Sequence, residues 1–327
     1  MLAVLPILLV TFPFFALVLC GYVAARLRLL PFDAIAGLNT FVLYFALPCM
    51  LYRFGANTPI AQLLDAGALG VYLLCALITV ALVVRLSLNA RIGWSDAAFG
   101  ALVAAFPNTG FMGVPLLVAL LGAQAAGPAI LTMLVDMVVT TSLCIALSRL
   151  GDLDDAGQHS AARAARRALQ GVALNPMPWA ILLGGASSFL QIEPIRPLAQ
   201  TMGLLADAAS PVALFTIGAV LARSQQVAAQ EQHQPLRLRD YLPVVLFKLF
   251  GHPLLVLAVG SAAIALGAPM ARSTLHILVL VAALPSASNV AILAERFGAD
   301  TGRIARIIML TTALAFFTFS GAVLWIG

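Results

Sequence analysis

Apolar runs about as long as a membrane-spanning helix fill most of this sequence. Of its 327 residues, 62% are hydrophobic and only 9% are Asp, Glu, Lys or Arg, and the mean hydropathy is +1.03. A soluble domain carries about one quarter charged residues, because water must solvate its surface. This chain has too few charges for such a surface, so its outer solvent is lipid. The composition excludes a soluble protein and predicts a multi-pass protein of the cell (inner) membrane.

A window of about 19 residues finds ten apolar spans, so the sequence predicts an all-α polytopic membrane protein with ten transmembrane helices. Numbered in chain order, the predicted spans are 3–24, 33–52, 64–88, 95–122, 127–149, 175–192, 198–222, 241–267, 273–297 and 302–325.

The basic residues predict the orientation of these spans. Cytoplasmic loops carry an excess of Lys and Arg, and the loops after the odd-numbered spans share one side. Fourteen arginines lie on that side, against Arg53, Arg196 and Arg272 on the other. We therefore expect both termini outside and the loops 150–174 and 223–240 in the cytoplasm. The fourteen are Arg26, Arg28, Arg85, Arg91, Arg149, Arg163, Arg166, Arg167, Arg223, Arg237, Arg239, Arg296, Arg303 and Arg306.

The polar loop 150–174, a predicted cytoplasmic linker, separates two predicted repeats, 1–149 and 175–327. Each repeat holds five spans, and an odd number makes the second repeat start from the opposite side, so the two are expected to be inverted. Short matches support this relation: LVAAFP ends at Pro107 in span 4, and LVAALP ends at Pro285 in span 9.

Spans 4 and 9 are both expected to be broken. PNTGFMGVP at 107–115 combines prolines and glycines near mid-membrane, and PSASN at 285–289 sets a proline beside small hydroxyl and amide residues. Backbone freed at this depth is tolerated only inside protein or beside a water-filled cavity, and a resuming half-helix offers unpaired N–H groups to an anion. We expect the two breaks to cross and form a substrate site. Alternatively, the prolines only kink the helices, Asn108 caps one, and the serines bond back to helix carbonyls.

Three ionisable residues fall inside predicted spans, where a charge costs a few kcal/mol. Asp136 is close to the middle of span 5, Asp207 is in the first half of span 7, and Lys248 is about a third of the way along span 8. Either aspartate can bind a proton during transport or anchor a polar network. Lys248 can attract an anion, pair with an aspartate, or extend its stem towards the cytoplasmic end of its span.

No enzyme, metal or cofactor chemistry is indicated. The four cysteines fall inside apolar runs without a CxxC pair, and the four histidines lack the HExxH spacing. A GxSxG nucleophile motif is also absent from the sequence. We expect a protein that is not an enzyme and that holds neither a metal nor a cofactor.

Motifs along essentially the whole chain resemble the auxin efflux carrier family, including its bacterial members. The resemblance implies a ten-span carrier of two inverted five-helix repeats, whose spans 4 and 9 cross at their prolines and whose substrates are organic anions such as auxin, malate or malonate. Plant members have Gln where this chain has Ser286, and many have a much longer central loop. The motifs are GLNTFVLYFALP at 37–48, PNTGFMGVPLL at 107–117, NP at 175–176, ALFTIG at 213–218, KLFGHPLL at 248–255 and LVAALPSASNVAILAERFGAD at 280–300.

Residues and resemblance together predict a secondary transporter that works by alternating access. The crossing helices and their neighbours are expected to move against a scaffold of spans 1, 2, 6 and 7. Export of an anion can run as uniport, because the membrane potential contributes about 2.3 kcal/mol per charge per 100 mV. Import needs a coupled ion, such as a proton on Asp136 or Asp207. A sodium- or proton-coupled organic-anion symporter of the bile-acid type and a non-transporting sensor stay open as alternatives.

The expected partners are a small organic anion and membrane lipid, without nucleic acid, and a homodimer is left open. The predicted substrate-binding residues are Pro107, Asn108, Thr109, Gly110, Met112, Asp136, Pro285, Ser286, Ser288 and Asn289, and the predicted coupling or charge network is Asp136, Asp207 and Lys248.

Overall fold

Helices make up nearly all of the structure, a computed structural model that describes residues 4–58, 65–150, 176–230 and 237–326. The predicted linker 150–174 lies outside the described residues except for Leu150, as does the middle of the loop 223–240. The helices are α1 (Val4–Arg26), α2 (Phe32–Asn57), α3 (Ala66–Ser87), α4 (Trp94–Ala105), α5 (Thr109–Leu121), α6 (Ala123–Ser148), α7 (Pro176–Leu190), α8 (Arg196–Gln230), α9 (Leu238–Ala265), α10 (Arg272–Ala283), α11 (Asn289–Arg296) and α12 (Thr301–Ile326).

Seven of the described helices, α1, α2, α3, α6, α8, α9 and α12, are long and apolar enough to cross a membrane. Each occupies one predicted span. Predicted span 4 is divided into α4 and α5, predicted span 9 into α10 and α11, and predicted span 6 contains the 15-residue helix α7. The structure thus shows an all-helical polytopic membrane protein, while the count of ten spans stays a prediction.

Four described helices contain a π-helical turn, and three of these turns end two residues before a proline. A proline donates no hydrogen bond and crowds the preceding carbonyl, so a widened turn accommodates it. The fourth turn, Asp136–Thr140 in α6, has no proline behind it, and Thr141 Oγ1 donates to the Asp136 carbonyl at 2.7 Å. Such turns are frequent at functional sites. The three other turns are Val42–Ala46, Thr109–Gly113 and Phe247–Gly251.

The helices form two compact units, and each unit contains segments from both predicted repeats. Unit 1 thus contains α1, α2, α5, α7 and most of α8, whereas unit 2 contains α3, α4, α9 to α12 and the C-terminal part of α6. The predicted repeat boundaries follow the chain instead, and they stay a prediction. Unit 1 is Met1–Asp65, Thr109–Leu131 and Ala173–Arg223, and unit 2 is Ala66–Asn108, Thr132–Val172 and Ser224–Gly327, as far as these ranges are described.

Glycines let the helices of unit 1 approach closely. Gly218 of α8 lies so near the carbonyl oxygen of Val18 in α1 that a Cβ at this position would overlap it. Gly21, Gly55 and Gly184 stand against carbonyl oxygens of neighbouring helices in the same way. Close backbone approach through small residues is the usual way that helices associate in a membrane.

Two helices of unit 2 are buried along most of their length. Every residue of α4 from Ala97 to Ala105 is buried, and so is every residue of α10 from Ile277 to Ala283. Helices that are apolar on all sides belong in a protein interior. Both helices end where the sequence predicts the breaks, so the two breaks lie in the interior of unit 2.

Candidate functional site

The two helix breaks pair with each other through their backbones. The N–H of Asn108 donates to the carbonyl of Pro285 at 2.8 Å, and the N–H of Ala287 donates to the carbonyl of Phe106 at 2.9 Å. Four backbone groups that a helix would otherwise satisfy are thereby paired inside unit 2. This is the condition for irregular backbone at membrane depth. The paired segments, 106–108 and 284–288, are called the crossover below.

The crossover and the first residue of α11 hold buried polar atoms that lack a hydrogen-bond partner among the described residues. Pro107 and Ser286 face each other as an antiparallel bridge, and the N–H of Ser286 donates to Thr311 Oγ1 of α12 at 3.3 Å. Ser286 Oγ and Asn289 Oδ1 are both buried and unpaired. An unpaired buried polar atom costs about 1–3 kcal/mol, so these two atoms point to a polar ligand.

The crossover also precedes the starts of two half-helices. Buried Ser288 stands immediately before α11, and buried Asn108 stands immediately before α5. The first N–H groups of a helix and its positive dipole end favour an anion such as a carboxylate. Seven predicted substrate residues belong to unit 2, namely Pro107, Asn108, Asp136, Pro285, Ser286, Ser288 and Asn289, whereas Thr109, Gly110 and Met112 belong to unit 1.

Asp136 is fully buried in unit 2, and each of its carboxylate oxygens accepts a hydrogen bond. The hydroxyl of Tyr72, on α3, donates to Oδ2 at 2.7 Å, and the hydroxyl of Thr140, one turn further along α6, donates to Oδ1 at 3.0 Å. Hydrogen bonds to a charged group stabilise it by about 1.5–3 kcal/mol each. Side-chain hydroxyls from two helices therefore position this carboxylate.

Lys248 is fully buried as well, so its stem does not extend to the surface. Its Nζ donates to the carbonyl of Ala282 in α10 at 2.9 Å and lies 3.3 Å from Nδ1 of His252, one turn along α9. His252 is also fully buried, and its Nε2 has no partner among the described residues. Unit 2 therefore contains a basic pair, Lys248 and His252, next to the end of α10. Ala282, which accepts from Lys248, precedes Pro285 of the crossover by three residues.

Comparison with known proteins decides the class of this chain. The model of the family described as "Membrane transport protein" matches residues 6–323. The chain belongs to this family of auxin efflux carriers. A protein of Rhizobium meliloti (strain 1021) named "Putative malonate transporter" is 30% identical over 311 residues, which cover 94% of this chain and 92% of that protein. The protein is therefore a membrane transporter rather than an enzyme, and the predicted resemblance is confirmed.

Asp207 of this transporter, predicted as a coupling or charge-network residue, forms an ion pair with Arg53. Its side chain is 69% exposed and pairs with Arg53 Nη1 at 2.7 Å within unit 1. Hydropathy placed it in an apolar span, but the side chain points away from the protein interior and towards a basic partner. The structure thus provides a surface ion pair here, and Asp136 is the buried carboxylate.

Tyr72, His252 and Arg303 of this transporter were not predicted as site or network residues. His252 had a signal, because it follows Lys248 by four residues and such a pair shares a helix face. Tyr72 had none, since one tyrosine in an apolar span matches many buried aromatics. Arg303 is only 2% exposed, whereas the charge pattern predicts it in a cytoplasmic loop. Its guanidinium donates to the carbonyls of Asp240 and Asp96, both at 2.7 Å.

Proposed function

We propose that this transporter carries small carboxylates, and that the anion binds at the crossover of unit 2. The observation that carries the proposal is the pairing of the two helix breaks, because it leaves the Ser286 hydroxyl, which can donate to an anion, buried and unpaired among the described residues beside the start of α11. A carboxylate would accept hydrogen bonds from the Asn108 amide, from the serine hydroxyls and from the first N–H groups of the half-helix.

Malonate is the proposed test substrate, because the relative of 30% identity has malonate in its name. Two carboxylates on one carbon fit a site with polar groups on two opposed segments, 106–108 and 284–289. Lys248 provides a positive charge close to this site without occupying it, since its ammonium is bonded to the Ala282 carbonyl. An anion entering the crossover would therefore meet a favourable potential inside the low-dielectric interior.

Transport is proposed to proceed by alternating access of a ten-span protein with two inverted repeats. Unit 1, with its glycine-packed helices, would be the scaffold, and unit 2 would carry the anion. Unit 1 contains the helices of predicted spans 1, 2, 6 and 7, which supports this assignment. Inverted repeats provide two related conformations that expose one site to each side in turn.

The test is uptake of labelled malonate by vesicles that contain the purified full chain. Asn108→Ala should lower the initial rate about tenfold or more, since the loss of one hydrogen bond to a charged group costs about 1.5–3 kcal/mol. Asn39→Ala is the matched control, because Asn39 lies on α2 in unit 1 and loses the same amide. Equal rates in the two variants would contradict the crossover site, and malonate binding without flux would instead indicate a sensor.

The proposed orientation, with both termini outside, needs its own experiment. Gly157→Cys, in the linker 150–174, should react with an impermeant thiol reagent only after the reagent has access to the cytoplasm. Labelling of intact cells from outside would reverse the orientation inferred from the arginines.

A further inference from the structure

A fully buried polar cluster connects four helices of unit 2. Asp136 of α6 accepts the hydroxyl of Tyr72 from α3, and the ring of Tyr72 lies 6.3 Å from the ring of His252 on α9. His252 in turn contacts Lys248, whose ammonium donates to the Ala282 carbonyl of α10. Lys248 is close enough to Asp136 for an electrostatic interaction. A carboxylate and an ammonium thus share one fully buried cluster.

Lys248 joins this cluster to the crossover through a helix end. In an unbroken α10 the Ala282 carbonyl would accept from the N–H of Ser286, but the helix ends at Ala283 and that N–H goes to Thr311. The carbonyl is one of the orphan acceptors of a helix C-terminus, and Lys248 satisfies it. A cation also complements the negative end of the helix dipole. The ammonium group of Lys248 therefore binds directly to the helix end that precedes the break.

The surroundings of Asp136 allow it to hold either a proton or a negative charge. Tyr72 and Thr140 contact it through hydroxyls, which donate to a carboxylate and accept from a carboxylic acid after a simple rotation. No salt bridge within 4.0 Å fixes its charge in the described part of the chain. The titratable groups around the cluster are Tyr72 and Cys75 from α3, Cys144 on α6, and Lys248 and His252 from α9.

We propose that Asp136, positioned by Tyr72 and linked to the crossover by Lys248, is a proton site that takes up a proton when the carboxylate substrate binds. The inference rests on the proposed function. With Asp136 ionised and Lys248 protonated the cluster is neutral, so a bound anion adds an uncompensated negative charge to a low-dielectric interior. A proton on Asp136 removes one negative charge and so lowers this cost. Because coupling between two binding sites is reciprocal, the proton also increases the affinity for the anion.

Proton uptake on binding gives the transporter a driving force for import. The proton gradient then contributes to import, and the proton cancels one of the negative charges that would otherwise move against a negative interior potential. Asp207 has no part in this coupling, because it is exposed and paired with Arg53 in unit 1.

The experiment is calorimetric titration of malonate into the purified full chain, in buffers of equal pH and different ionisation enthalpy. The dependence of the measured heat on the buffer gives the protons taken up per malonate. We expect about one proton for the native chain and none for Asp136→Asn, apart from protons that malonate itself exchanges. Asp207→Asn, which makes the same chemical change at an exposed site, should keep the native value.

Tyr72→Phe keeps the carboxylate and tests the cluster independently, in case Asp136→Asn fails to fold. Loss of the hydroxyl donor should move the pH at which proton uptake is half complete upwards by about one unit. Malonate binding with the native uptake in Asp136→Asn, or an unchanged pH profile in Tyr72→Phe, would overturn the proton site and leave the proposed function intact. A native chain that does not bind malonate would overturn both.

Discussion

Unit 1 and unit 2 hold their helices together by different means. Unit 1 places glycines at the closest approaches between helices, and its described ion pair, Arg53 with Asp207, is exposed. Unit 2 buries two carboxylates and two cationic side chains, at Asp136, Asp240, Lys248 and Arg303. Buried ionisable groups in a membrane are costly and are usually retained for a function or paired with a partner.

The two buried cations of unit 2 show that such a group has two possible roles. Arg303 donates to carbonyls near the beginnings of α4 and α9, and Gly100 leaves room for its guanidinium. This arrangement ties three helices together and leaves the arginine little freedom. Lys248 has one carbonyl partner and stands beside a titratable network. The number and kind of its partners, and not burial alone, therefore distinguish a structural cation from a candidate functional one.

The largest expected effect tests the glycine packing of unit 1. Gly218→Ala forces a Cβ into the carbonyl of Val18, so α1 and α8 must separate, and overpacking of this kind costs about 3 kcal/mol or more. The measurement is the apparent melting temperature of the purified protein. Gly203→Ala is the control on the same helix, because a Cβ there meets no atom within 4 Å and alanine favours a helix by about 1 kcal/mol. Equal melting temperatures of the two variants would show that close packing at Gly218 does not stabilise unit 1.

The next effect tests Arg303 as the anchor of unit 2. Arg303→Met removes two hydrogen bonds from a charged donor, to the carbonyls of Asp240 and Asp96, and the expected loss of stability is about 2–4 kcal/mol. Arg306→Met is the control in the same helix, since Arg306 stacks 5.9 Å over the ring of Tyr241 and such a contact contributes about 0.5–1 kcal/mol. Thermal unfolding of the two variants in detergent measures both values. A smaller loss for Arg303→Met than for Arg306→Met would contradict its role.

A smaller effect separates binding from stability at the crossover. Ser286→Ala removes a hydroxyl that is buried and unpaired, so we expect the melting temperature to be kept and the Kd for malonate to rise about fivefold, which corresponds to about 1 kcal/mol. Ser320→Ala should change neither quantity much, because that hydroxyl bonds only to the Phe316 carbonyl in its own helix. A native Kd in Ser286→Ala would show that this hydroxyl does not contact malonate.

The smallest effect tests the surface ion pair of unit 1. Arg53→Gln should cost less than about 1 kcal/mol, because both partners are substantially exposed and high dielectric weakens their attraction. The difference in melting temperature from the native protein should shrink further as salt is added. A loss as large as that of Arg303→Met would show that the exposed pair stabilises unit 1 as strongly as a buried anchor.

Hydropathy predicted where the long helices lie, because lipid requires an unbroken apolar stretch of a defined length. Predicted span 1, residues 3–24, is occupied by Val4–Arg26. Predicted span 7 ended at 222, but α8 continues to Gln230 because the following Ala and Gln residues favour a helix outside an apolar stretch as well. Proline chemistry likewise predicted the interruptions after Ala105 and Ala283.

The sequence could not predict which residues contact the buried charges. Asp136 and Asp207 have the same chemistry and both lie in apolar spans, yet one is fully buried and the other is 69% exposed on its side chain. Hydropathy averages over all faces of a helix, so it cannot separate these two environments. Tyr72 is 64 residues from Asp136 along the chain, and only the packing of α3 against α6 brings them together.

The amino-acid sequence was sufficient to predict the lipid environment, the long apolar helices, the interruptions at Pro107 and Pro285 and the membership in a transporter family. These properties depend on local composition and on what a proline does to its own helix. Packing between distant segments pairs the two breaks and brings Lys248 to the C-terminal end of α10. It also places Tyr72 beside Asp136 and Arg53 beside Asp207. Those outcomes depend on which face each helix turns to its neighbours, and that choice is made by the packing of distant segments.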